Sequence, residues 1–74
     1  SERLYIRLAD ADDQKKLLGL KQTIDNNRGS TEVVLVLGKS DNKQAIKLPG
    51  GIDKASDGLG LLEELVGAEN LVLR

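Results

Sequence analysis

The sequence predicts an α+β fold, with four strands and two helices in the order β-α-β-β-α-β packed as one two-layer sandwich. Three observations carry this. Apolar residues alternate at Leu4, Ile6 and Leu8, the period of a half-buried strand. They recur at helical spacing at Leu17, Leu20 and Ile24, and again at Leu59, Leu62, Leu65 and Val66. Clusters of Gly, Asn, Asp and Ser separate the segments and supply turn chemistry. At 74 residues the chain fits a single domain, residues 1–74.

The first strand is Leu4-Tyr5-Ile6-Arg7-Leu8, with Leu4, Ile6 and Leu8 inward and Tyr5 and Arg7 outward. Asp10, Asp12 and Asp13 follow, and acids there suit a helix N-terminus. The first helix is expected over about residues 11–27, with Leu18 widening its apolar stripe. Gly19 costs up to ~1 kcal/mol against Ala in a helix, which suggests close approach by another backbone. Gly29 is expected to cap the helix in a left-handed conformation.

Thr31-Glu32-Val33-Val34-Leu35-Val36-Leu37 is β-branched and apolar on both faces, a strand. Residues 38–43 form a turn. Gln44-Ala45-Ile46-Lys47-Leu48 alternates again, so the two strands form a hairpin. Pro49-Gly50-Gly51 is expected to break the strand. Asp57 or Ser56 caps the second helix, Gly67 stops it, and residues 70–74 close as the last strand. The usual packing for this order is ferredoxin-like: a four-stranded antiparallel sheet with both helices on one face. Strands one and three then lie in the middle, and strands two and four form the edges.

Composition excludes much chemistry. There is no Cys and no His, so thiol and imidazole catalysis and zinc-finger sites are ruled out. Eleven basic residues face twelve acidic ones, for a net charge of −1, which is not the footprint of an autonomous nucleic-acid binder. Tyr5 is the single aromatic, so the core is aliphatic, each buried side chain contributing roughly 1.5–3 kcal/mol. No apolar run reaches the ~18–20 residues of a membrane span, and no membrane contact is expected. The absence of Cys fits a cytoplasmic location. The chain opens on a strand without an initiator Met and reads as an excised C-terminal fragment of a larger protein.

No motif supplies a reaction. Ser30, Ser40 and Ser56 lie in turns with no base nearby. The acids at 10, 12 and 13 lack the calcium-loop spacing, and capping accounts for them. Gly58-Leu59-Gly60 misses the dinucleotide fingerprint because Glu63 stands where a small residue is required. No catalytic residue, cofactor or metal is expected. The positions with functional promise are surface ones. Tyr5, Arg7 and Lys47 share the sheet face away from the helices, where an aromatic beside basic residues resembles single-strand RNA platforms. Val34 and Val36 point away from the core on a strand expected at the sheet edge, an apolar stripe that calls for a cover.

Several stretches together resemble the extreme C-terminal region of the bacterial DNA polymerase III alpha subunit. They are Leu4-Tyr5-Ile6-Arg7-Leu8, the Leu-rich helix before Arg28-Gly29, the strand from Thr31 to Leu37, Ala45-Ile46-Lys47-Leu48-Pro49, and Leu61-Leu62-Glu63-Glu64-Leu65-Val66-Gly67-Ala68-Glu69-Asn70-Leu71-Val72-Leu73. The resemblance spans nearly the whole chain. It implies a parent that is a cytoplasmic DNA-directed DNA polymerase, a nucleotidyltransferase of DNA replication. The catalytic acids, the nucleotide site and the clamp-binding motif would all lie upstream of this domain. It further implies a preceding OB domain and contact with the tau subunit of the clamp loader, with no tau-contact residue transferable to this stretch. Two other readings remain beside this interaction module. One is a small-ligand regulatory domain of the ACT type, disfavoured because Ala9-Asp10-Ala11-Asp12 lacks the usual glycine of the first strand–helix turn. The other is a weak single-strand nucleic-acid binder using Tyr5, Arg7 and Lys47.

Overall fold

The alternation at Leu4, Ile6 and Leu8 produces β1 (Arg3–Leu8) in the computed structural model, which describes residues 1–74. Asp13 then accepts a hydrogen bond from the Lys16 backbone N–H at 3.1 Å and caps α1 (Gln14–Asp25). Asp10 accepts from the Asp12 N–H at 2.9 Å within the preceding turn. These acids therefore organise a turn and a helix start. The helix is shorter than its expected span because the three residues before Gln14 form that turn.

After α1 come β2 (Arg28–Gly29), β3 (Thr31–Leu37), β4 (Gln44–Ile52), α2 (Gly58–Val66) and β5 (Leu71–Leu73). The sheet has five strands in the order β2-β4-β3-β1-β5. The α+β class and the sequence of the four main strands and two helices are as expected. The all-antiparallel ferredoxin-like sheet is not: β1 and β3 pair in parallel, from Arg3 opposite Glu32 to Leu8 opposite Leu37. Every other pairing is antiparallel. A crossover helix is what a parallel pair needs, and α1 supplies it.

This corrects the place of the strand at residues 31–37. It is central, not an edge, and its apolar character on both faces is the physical reason. A run such as Val33-Val34-Leu35-Val36 gains more between two strands than beside water. The edge falls instead, from Gln44 to Pro49, to β4, which was expected in the middle; its Lys47 and Pro49 are residues that edges favour, and β2 covers only its far end.

Pro49-Gly50-Gly51 does not end the strand. The register shifts so that Glu32 faces Gly51 while Val34 faces Lys47. Leu48, Pro49 and Gly50 thus stand across from Val33 alone, and Gly50 takes the excursion at φ +78°, a conformation glycine adopts freely. The strand resumes and buries Ile52 completely.

Gly29 is likewise not a left-handed cap. Asn26 ends α1, and Gly29 belongs to β2, paired with Gly51. A Cβ on Gly29 would lie 2.4 Å from the Asp53 Cα, so the residue is a point of close backbone approach. At the second helix the cap bond comes from Ser56, whose Oγ accepts from the Gly58 N–H at 3.1 Å and donates to the Asp53 carbonyl at 2.6 Å. Asp57 makes no such bond.

Both helices lie on one face. Leu4, Ile6, Leu8, Val33, Leu35 and Ile52 from the sheet form one cluster with Leu20 and Ile24 of α1 and Leu62 and Val66 of α2. The helices meet where Gly19 faces Leu65; a Cβ on Gly19 would come within 2.9 Å of that side chain. The approach that Gly19 permits is therefore by a side chain. At the far edge, Arg3 and Arg74 exchange two backbone hydrogen bonds of 3.0 Å each. No helix is long and apolar enough to cross a membrane.

Candidate docking face of the sheet

With Leu4, Ile6, Leu8, Val33 and Leu35 committed to the helices, strand pleating sends the intervening side chains to the opposite face. The ladder registers arrange them in rows. Val72, Tyr5, Val34 and Lys47 stand side by side across β5, β1, β3 and β4. Arg7, Val36 and Ala45 form a second row, and Arg3, Glu32 and Gly51 a third.

The five residues singled out in the sequence, Tyr5, Arg7, Val34, Val36 and Lys47, are thus brought together on one uncovered face. Their setting differs from expectation in one respect. Val34 and Val36 lie on a central strand, half-buried between neighbouring strands, rather than exposed on an edge. Arg7 and Lys47 are exposed.

Four members of the face escaped sequence reasoning: Arg3, Glu32, Val72 and Arg74. The parity that places Tyr5 outward also places Arg3, and that of Val34 places Glu32. Val72 needed the pairing partner of the last strand, which no local pattern reveals.

The electrostatics are one-sided. Glu32 is the only acidic residue in any strand, against Arg3, Arg7, Arg28 and Lys47. It lies between two cations, 2.7 Å from the Arg3 Nε and 3.2 Å from the Lys47 Nζ. The hydrogen bond and charge of Lys47, joined by Arg3, hold the Glu32 carboxyl below the usual carboxylate range despite its partial desolvation. The neighbouring Tyr5 side chain, and then the charge of Glu32, hold the Arg3 guanidinium above its ordinary value. The Arg74 guanidinium sits 4.9 Å from the centroid of the Tyr5 ring, within cation–π range. Arg7 donates to the Glu69 backbone carbonyl.

The result is a half-exposed apolar patch rimmed by cations that are already engaged within the domain. It contains no nucleophile–base pair. It suits contact with a surface that is apolar at its centre and acidic at its margin.

A smaller feature lies on the helix side. Between α1 and β4 runs a mainly apolar groove of about 190 Å³, lined by Leu17, Ile24, Leu35 and Leu48 and also by the ion-paired Lys21, Asp25 and Arg28. Neither helix covers this strip.

Compared with protein families, curated proteins and solved structures, the chain matches none.

Proposed function

We propose that this chain is a non-catalytic interaction module whose open sheet face docks a protein surface. The supporting observation is the row Val72–Tyr5–Val34–Lys47, with Val36 beside it and Arg3, Arg7 and Arg74 around it, on a face that neither helix covers. Together with the sequence resemblance, this favours a place at the C-terminal end of a replicative DNA polymerase III alpha subunit in the bacterial cytoplasm. Its partner there is the neighbouring OB domain of the same polymerase or the tau subunit of the clamp loader. The polymerase chemistry belongs to other parts of that parent.

The nucleic-acid reading comes second. The basic rim supports it, but the Tyr5 ring is already covered by Arg74, so a base would have to displace that guanidinium before stacking. The ACT-type reading has less support, because the parallel β1–β3 pair departs from the all-antiparallel sheet it assumes.

The test is a titration of the chain with tau and, separately, with the OB domain, followed by Tyr5 emission. Saturable binding in either arm, abolished in Val34→Asp with an unchanged far-ultraviolet spectrum, supports the reading. If neither protein binds and oligo-dT shifts the Tyr5 signal instead, the face is a nucleic-acid platform.

A further inference from the structure

The second surface is the free edge of β4. This strand bonds to β3 on one side. On the other side β2 covers only its far end, at Gly51 and Ile52. From Gln44 to Leu48 the outer edge has no strand beside it. Alternate N–H and C=O groups along such an edge point away from the sheet and are a template for strand addition. The stretch ends at Pro49, which has no N–H to give, and at the left-handed Gly50. That leaves room for about five residues of added strand.

What flanks this edge differs on its two sides. On the helix side, Ile46 and Leu48 are half-buried, and Leu48 opens onto the groove formed with Leu17 and Ile24. On the open side, Lys47 is exposed, and Lys43 stands exposed just before the strand. A strand laid along β4 would alternate between these environments. Residues opposite Ile46 and Leu48 would project toward an apolar groove, and those opposite Ala45 and Lys47 toward a cationic margin.

We infer that the β4 edge accepts an extended protein segment whose side chains alternate between apolar and acidic. Charge decides against the obvious competitor, a second copy of this chain. Pairing two β4 edges would bring Lys43 and Lys47 of one copy beside those of the other, and like charges across a strand pair are unfavourable. An alternating apolar–acidic segment meets the same lysines with opposite charge, sharing Lys47 with Glu32 and taking Lys43, which no ion pair holds, and fills the groove with its other parity. The site shares Lys47 with the open face but runs along the sheet edge and uses Leu48 and the groove on the helix side, so a segment bound here perturbs Leu17, Ile24 and Leu48, which docking on the open face would leave unchanged.

The test uses the isotope-labelled 74-residue chain and an acetylated, amidated alternating Val-Glu heptapeptide. A Val-Lys peptide and a Val-Glu peptide of the same composition in two blocks serve as comparisons. The expected result is slowed amide exchange within Gln44–Leu48 and methyl shifts at Leu17, Ile24 and Leu48, with the Val-Glu peptide alone. Leu48→Glu should weaken binding about tenfold or more, and Lys47→Glu should exchange the preference for the Val-Lys peptide. Amide exchange in the free variants reports whether each remains folded. Shifts confined to Tyr5 and Val34, equal binding of the Val-Glu and Val-Lys peptides, or no perturbation at millimolar peptide would each overturn the inference.

Discussion

Tyr5 and Val34 stand directly opposite each other in the parallel β1–β3 pair, on the side of the sheet the helices leave open. Their immediate sequence neighbours, Leu4 and Val33, pair on the other side and are almost wholly buried. The two central strands therefore divide one residue at a time between core and surface.

That division sets the first expected outcome. Val33→Ala should cost about 2–3 kcal/mol, since the cavity it leaves is walled by packed side chains. Val34→Ala, at a half-buried position, should cost under about 1 kcal/mol. Urea denaturation of the two variants measures the difference directly. Equal losses would mean that the pleat does not separate the faces as described.

Two glycine substitutions should have opposite signs. Gly29→Ala places a methyl against the Asp53 backbone, which cannot yield as a flexible side chain would. A loss of more than about 2 kcal/mol is expected, with faster exchange of the Asp53 amide that now donates to the Asn27 carbonyl at 2.7 Å. Gly60→Ala meets nothing within 4 Å inside α2, and should raise stability by about 0.5–1 kcal/mol. Thermal melts of the two variants make the comparison.

Stability should fall on the acid side. Lys47 and Arg3 depress the Glu32 pKa, and Lys21 with Arg28 depress that of Asp25. Each carboxyl thus takes up its proton at lower pH when folded than when unfolded. The stabilisation is fully present above the unfolded value of about 4 and is lost as pH falls through the lower, folded value. Glu32→Gln and Asp25→Asn should each flatten the fall in stability between pH 5 and 2, to be measured as chemical-denaturation midpoints against pH (the window is roughly that of ordinary carboxylates). An unchanged acid limb in both variants would contradict the ion-pair geometry.

Tyr5 is the single aromatic residue of the chain, so its emission reports the open face without interference. Arg74→Ala should uncover the ring and increase quenching by acrylamide. The change in stability should stay below about 1 kcal/mol, the scale of an exposed cation–π contact. If quenching is unaffected, the guanidinium does not shield the ring.

Much of the site was legible because parity is local. The alternation in Leu4–Leu8 and in Gln44–Leu48 places Tyr5, Arg7 and Lys47 on one face whatever the strand order. The order itself is a non-local choice, and the familiar topology for β-α-β-β-α-β put Thr31–Leu37 at an edge. The uninterrupted apolar run from Val33 to Leu37 was the signal that it belongs inside. Two other features were out of reach for different reasons. A two-residue strand such as Arg28–Gly29 has no period to detect. Pro49-Gly50-Gly51 reads as a stop unless the register shift that lets Ile52 return to the core is known. The apolar groove beside Leu48 depends on where α1 lies over the sheet, which helical spacing alone does not specify.

The paired hydrogen bonds between Arg3 and Arg74 also set how the domain responds to tension. β1 and β5 run antiparallel, and residues 3 and 74 sit at the same end of that seam. Ladder bonds of such a pair lie perpendicular to the strands, so force applied through these two residues loads them one after another. The seam opens like a zipper, beginning at Arg3 and Arg74 and reaching the Ile6–Leu71 pair last. Under load, β5 peels away before the parallel pair at the centre of the sheet is strained.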